Sequence, residues 1–312
     1  MSIESLIFNV ALLFLMLIPG FLMTKCHLAT EGLGKGLANL VLYIAQPALI
    51  VSAYIRPFDT QILENVIVVF LLSVVSHVLF AAVAFLSFRR AEERHAKMLR
   101  FATVFSNAAY MGIPLIVGLL GTEAAIYASI YSITFNLFIW SLGVFICTGD
   151  KKQASLRKVA THPVTISSIL GLLFFFLPID MYVPELFVTG LSMLKELVAP
   201  LSMIIIGLRL ADLSLRGILR DRHLYEFLLL RLLVLPTAVF FITYCLRFLG
   251  APISNVAATV ILISAATPAA TATSMFAEKF DGDTTYAGAL VAISTVLSIL
   301  TMPLVALLLS LL

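Results

Sequence analysis

The stretch Phe105-Ser106-Asn107-Ala108-Ala109-Tyr110-Met111-Gly112-Ile113-Pro114 places an amide, two hydroxyls and two helix breakers inside an apolar segment. Asn107 can hydrogen-bond nearby backbone, Gly112 is a weak helix former, and Pro114 removes a donor and crowds the preceding turn. A second such stretch, Ser264-Ala265-Ala266-Thr267-Pro268-Ala269-Ala270-Thr271-Ala272-Thr273-Ser274, lies late in the chain. Backbone left unpaired in lipid costs several kcal/mol per group, so a broken helix persists there only when buried in protein or lining a polar cavity. Two such breaks in corresponding halves of a chain mark a transporter's binding site. The N–H groups at the start of a half-helix carry partial positive charge and attract an anion such as a carboxylate. Ser106, Asn107, Tyr110, Thr267, Thr271 and Ser274 supply side-chain donors, with Gly112, Pro114 and Pro268 shaping the backbone. Pro268 suits the first position of a new half-helix with Thr267 as its cap. The alternative is that the amide and hydroxyls only satisfy kinked backbone.

The elements that must position these residues follow from composition. Of 312 residues 61% are hydrophobic and 12% charged, and mean hydropathy is +1.09. Soluble domains carry about 25% charged residues, so this is an all-α integral membrane protein. With about twenty apolar residues per crossing, ten spans fit, at roughly 6–23, 37–55, 65–88, 99–119, 123–147, 163–179, 187–209, 224–249, 256–276 and 284–311. The acidic N-terminus and long first apolar run read as a retained span, not a cleaved signal. With the N-terminus outside, sixteen of the twenty Lys and Arg residues, Arg209 among them, fall in cytoplasmic loops. Only Arg56, Lys195 and Arg247 fall outside, with Arg231 about one turn into the eighth span and reaching cytoplasmic headgroups. Both termini are therefore expected on the outer face.

The halves read as copies. Pro47, Arg56 and Asp59 match Pro200, Arg209 and Asp212 in spacing, and Asn107 matches Thr267 as the break position. Five spans per copy force opposite orientations, giving an inverted repeat: residues 1–149, a linker at 150–162, and residues 163–312.

Other candidates are few. Pro47 and Pro200 read as kinks. Lys195 and Glu196 read as snorkelling residues, with a proton-linked role for Glu196 as the sharper alternative. His77 is a hydrogen-bonded core histidine or, alternatively, a proton relay. Lys279-Phe280-Asp281-Gly282-Asp283 reads as a solvated turn and not a calcium loop. Cys26, Cys147 and Cys245 have no metal-type spacing, and no zinc, nucleophile-elbow or phosphate-loop motif is present, so no enzyme activity, metal or cofactor is expected.

Leu40-Val41-Leu42-Tyr43-Ile44-Ala45-Gln46-Pro47-Ala48-Leu49 resembles the second span of the auxin efflux carrier family, including its bacterial permease members. Ser106-Asn107 with Gly112-Ile113-Pro114 resembles that family's crossover motif, and Ala199-Pro200 with Gly207-Leu208-Arg209-Leu210 its seventh span. Ala266-Thr267-Pro268-Ala269 through Phe276-Ala277-Glu278, then Ser294-Thr295 to Pro303-Leu304, resembles its ninth and tenth. The resemblance implies two inverted five-helix repeats, as in the bile-acid-symporter and sodium/proton-antiporter folds. It also implies a homodimer with spans one, two, six and seven as scaffold, and an elevator-like transport domain around the crossover. In plant members a carboxylate binds beside the crossover, where Asn107, Pro114 and Pro268 are the matching positions. The long cytoplasmic loop of those members is missing, and Thr-Pro-Ala-Ala replaces a fuller polar set at the second break, so auxin itself does not carry over.

The expectation is a proton- or potential-driven secondary carrier of a small organic anion, a mono- or dicarboxylate, in the cytoplasmic membrane. Its partners are that anion, the lipid bilayer and a second copy of the chain; no nucleic acid is implied. Sodium coupling fits less well, because neither break holds a carboxylate. The alternatives are a cation/proton antiporter of the related fold, which would place aspartates at the crossover, and a membrane ligand sensor.

Overall fold

A computed structural model describes residues 3–30, 32–177, 182–211 and 218–309. Asp212 and Arg216 lie outside the described residues. The described chain is helical: α1 Ile3–Leu15, α2 Leu17–Lys25, α3 Leu33–Leu40, α4 Gln46–Tyr54, α5 Thr60–Ser87, α6 Glu93–Val104, α7 Ile113–Leu120, α8 Ala125–Phe138 and α9 Val144–Thr148. There follow α10 Leu156–Ala160, α11 Pro163–Phe176, α12 Glu185–Lys195, α13 Val198–Ala211, α14 Arg222–Leu229, α15 Leu235–Phe248, α16 Asn255–Ala266, α17 Ala272–Lys279 and α18 Thr284–Leu309.

Among the described residues seven helical stretches are long and apolar enough to cross a bilayer: Ile7–Lys25, Leu33–Tyr54, Thr60–Ser87, Thr122–Thr148, Glu185–Ala211, Arg222–Phe248 and Thr284–Leu309. Three shorter apolar helices, Ala108–Leu120, Pro163–Phe176 and Asn255–Ala266, stand where the fourth, sixth and ninth spans are expected. The fourth and ninth are divided by their breaks, which is why neither reaches spanning length as one helix.

Side chains punctuate the helices as polar N-caps do. Asp59, Ser254 and Asp221 accept from backbone N–H groups at the starts of α5, α16 and α14. Asp283 accepts from the Tyr286 N–H at 2.9 Å, so the Lys279–Asp283 segment is a turn that opens α18.

Three prolines act in one way. Widened turns with i→i−5 geometry occupy Val41–Ala45, Ala108–Gly112 and Leu230–Val234, each ending two residues before Pro47, Pro114 or Pro236. A proline clashes with the carbonyl four residues back, and widening the turn that holds this carbonyl relieves the clash. Pro47 therefore widens its helix without ending it. Pro200 differs, sitting in the first turn of α13 after a break at Glu196–Leu197.

Two sets of helices emerge from the packing. α2 lies against α13, and α4 lies against α11 and α12. A Cβ on Gly207 would meet the Leu17 carbonyl oxygen at 2.1 Å, and one on Gly20 would meet the Ile204 oxygen at 2.1 Å. Only glycine permits so close an approach of two helix backbones. Gly171 of α11 gives the same kind of clearance to the Tyr54 ring of α4. The second set, α5, α6, α8, α15, α16 and α18, surrounds the two breaks. α16 is buried without interruption from Ala257 to Ala266.

Candidate functional site: the paired helix breaks

After α6 the chain runs extended through Phe105, and after α16 it runs extended through Thr267. The two segments pair antiparallel. Asn107 N–H donates to the Pro268 carbonyl at 2.8 Å, and Ala270 N–H donates to the Phe105 carbonyl at 2.8 Å, with Ser106 opposite Ala269. Each break thus satisfies backbone of the other, which is what lets either exist away from water.

The pairing corrects the alignment read from the sequence. Thr267 closes α16, as Phe105 closes α6, and is not the cap of the next half-helix. Pro268 lies in the extended bridge, and α17 begins only at Ala272 after Thr271. By helix ends, Asn107 corresponds to Thr271, because each immediately precedes a second half-helix.

Arg231 holds the crossing. Expected among cytoplasmic headgroups, it is instead 0% exposed. Its Nη2 donates to the carbonyls of Ala265 (2.6 Å) and Thr267 (2.8 Å), its Nε to Thr267 (3.1 Å), and its Nη1 to Thr103 (3.1 Å). Its guanidinium carbon sits 5.2 Å from the centre of the Phe80 ring. The last carbonyls of a helix have no partner within it, and here one cation serves the ends of both α6 and α16. An arginine within an apolar run was the available signal, but its distance from either break in sequence hid the partnership.

Gln46 does a related task at the first break. In the widened turn the Ile113 N–H reaches back to the Ala108 carbonyl, so the Ala109 carbonyl would next be met by the N–H that Pro114 lacks. The buried Gln46 Nε2 donates to it at 3.0 Å.

The sequence-derived site residues gather around this crossing. Ser106 is buried, with its Oγ 3.4 Å from the Tyr131 hydroxyl. Asn107 is 2% exposed, and its Nδ2 has no hydrogen-bond partner among the described residues. Gly112 faces Thr267, whose Cγ2 would lie 3.5 Å from an added Cβ. Pro114 is buried at the start of α7, and the Thr267 hydroxyl donates to the Ser264 carbonyl at 3.0 Å. Thr271 and Ser274 line a cavity of about 480 Å³ together with Arg209, Glu278, Thr284 and Thr295. Arg209, assigned from the sequence to a cytoplasmic loop, is helical and half-buried and donates to the Thr271 carbonyl at 3.2 Å. Tyr110 is half-buried in the widened turn Ala108–Gly112.

His77 and Glu196 stand apart from the cavity. His77 is fully buried, its Nδ1 2.8 Å from the Ser73 carbonyl oxygen, within rings that include Phe105, Tyr131 and Phe138. Glu196 is exposed between α12 and α13. Among the described residues no group of His, Cys, Asp and Glu is arranged to hold a metal ion. The arrangement can bind an anion through a guanidinium, hydroxyls and helix starts.

Comparison with known proteins agrees with a transporter. A family model described as a membrane transport protein matches residues 5–156 and 151–306. The chain is similar to an uncharacterized transporter of Methanothermobacter thermautotrophicus, 25% identical over 91% of this chain and 92% of that protein. It is also similar to an uncharacterized transporter of Methanocaldococcus jannaschii, 22% identical over 95% of this chain and 96% of that one. Broken helices crossing within an apolar, all-helical chain and a family match over nearly its whole length make it a member of the auxin efflux carrier family of membrane transport proteins.

Proposed function

We propose that the protein is a secondary carrier of small organic anions, moving a mono- or dicarboxylate across the cytoplasmic membrane by alternating access. The observation that carries this reading is the Arg209 guanidinium in a cavity that reaches Thr271 and Ser274 at the start of α17. A guanidinium, hydroxyls and a helix N-terminus together suit a carboxylate.

In this reading the ten expected spans form two inverted five-helix repeats, residues 1–149 and 163–312, with both termini outside. The exchanged packing of α2 on α13 and α4 on α11 supports it, because inversion turns one contact into the other. Those helices form the frame of a homodimer, and the helices around the crossing slide against it as an elevator. No Asp or Glu is buried among the described residues, which disfavours a cation/proton antiporter. Proton coupling falls to Glu278, which is exposed like Glu196 but lines the cavity.

The test is transport current from purified protein in proteoliposomes, across a panel of carboxylates with and without pH and sodium gradients. Saturable currents for some acids are expected. Silence across the panel with a pH response to sodium or potassium jumps would favour the antiporter, and silence throughout a sensor. A reporter fused to the C-terminus is expected outside, and a cytoplasmic signal would overturn the ten-span topology.

A further inference from the structure

Among the described residues Arg231 is the only Lys, Arg, Asp or Glu that is buried, and its partners are carbonyls and a ring, not a carboxylate. A buried charge without compensation is strongly disfavoured, so the compensation must come from the backbone. It comes from two helix ends. The C-terminus of a helix behaves as about half a negative charge, so the converging ends of α6 and α16 together present about one, which the guanidinium cancels.

What is left at the crossing is the opposite pair of ends. The run Ala108–Leu120 and α17 both begin here, and their N-termini contribute about half a positive charge each. Asn107, at the first of these starts, keeps a buried amide nitrogen that donates to nothing among the described residues. The second start opens at Thr271 and Ser274 into the cavity, where Arg209 and Glu278 offset one another in formal charge. Without Arg231 the four helix ends would nearly cancel. With it, the crossing has a surplus of about one positive charge.

We propose that Arg231 sets the valence of the carried anion: the crossing accepts a monoanion and disfavours a dianion. This rests on the carrier reading above and specifies it. A monoanion brings the loaded crossing close to neutrality, whereas a dianion brings an unmatched negative charge into a low-dielectric setting. Arg231 does not line the cavity and hydrogen-bonds none of the residues that do, so it acts on the anion through the helix ends as a positioning and charge-setting residue.

The experiment compares matched acids at neutral pH in proteoliposomes of the full-length protein: butyrate against succinate, and benzoate against terephthalate. Wild type is expected to favour the monoanion of each transported pair by about tenfold or more in kcat/KM. Arg231→Lys, which keeps the charge but not the forked geometry, is expected to transport more slowly with the same ranking. Arg231→Gln is expected to lose the ranking and to accept benzamide as readily as benzoate. Equal handling of succinate and butyrate by wild type would overturn the assignment, and so would a folded Arg231→Gln protein that keeps the ranking. Should Arg231→Gln not fold, the wild-type ranking and the Arg231→Lys protein decide the matter. Silence of wild type toward all four acids would instead remove the carrier reading, and this assignment with it.

Discussion

The two breaks share one plan and are finished differently. At the first, a neutral amide, Gln46 of α4, satisfies the Ala109 carbonyl. At the second, a cation, Arg209 of α13, satisfies the Thr271 carbonyl beside the cavity. The arginines matched by spacing, Arg56 and Arg209, have also parted. α4 ends at Tyr54, so Arg56 falls beyond it and pairs with Glu123 at 2.8 Å. The Tyr54 counterpart is Gly207, yet α13 continues to Ala211, which keeps Arg209 helical and turned to the crossing. A shared frame has thus been charged on one side only, and the proposed function assigns binding to the charged side.

The largest expected effect breaks this contrast directly. Arg209→Gln is expected to raise the KM for a transported carboxylate by about ten- to a hundredfold, a charge-assisted hydrogen bond being lost. Concentration dependence of the transport current checks it, and an unchanged KM would place binding elsewhere. Gly207→Leu presses instead on the frame: with a backbone oxygen 2.1 Å from the added Cβ, stability is expected to fall by about 1–3 kcal/mol or more. Thermal melting in detergent reads this loss, and an unaltered melting temperature would mean that α2 and α13 are not in tight contact.

Asn107→Ala sharpens the contrast from the first break. Its Nδ2 has no partner among the described residues, so stability is expected to change by about 0.5 kcal/mol or less while transport falls about tenfold. A collapse of melting in step with transport would assign Asn107 to backbone support alone. Gln46→Leu should do the reverse, leaving the Ala109 carbonyl unpaired at a cost of about 1 kcal/mol with little change in KM. Melting and KM measured on the same preparation separate the two residues.

The all-helical membrane class was legible at once, since composition and hydropathy leave no other way to satisfy the backbone. The breaks were legible too, because Asn107, Gly112, Pro114, Thr267 and Pro268 are costly inside a helix in lipid. Their register was not. A proline was read as the start of a half-helix, whereas Pro268 lies in the extended bridge and Pro114 follows a widened turn. Local propensity says that a helix is disturbed; which residue leaves it depends on the strand of backbone it meets.

Charge shows the same division. The asymmetry of Lys and Arg between loops yields a topology because each loop's charge acts alone on insertion. Arg209 and Arg231 escaped that logic: Arg209 meets one backbone carbonyl beside a cavity, and Arg231 is held where three carbonyls converge on it. That convergence joins Thr103 to Ala265 and Thr267, residues more than 160 positions apart in the case of Thr103 and Ala265. The sequence by itself determined that the chain spans the membrane and where its helices fail. Only the tertiary structure decided that the failures pair with each other and that Arg231 closes the carbonyl ends. The reason is physical: propensity and hydropathy are properties of neighbours in the chain, whereas the compensation of a buried charge is a property of neighbours in space.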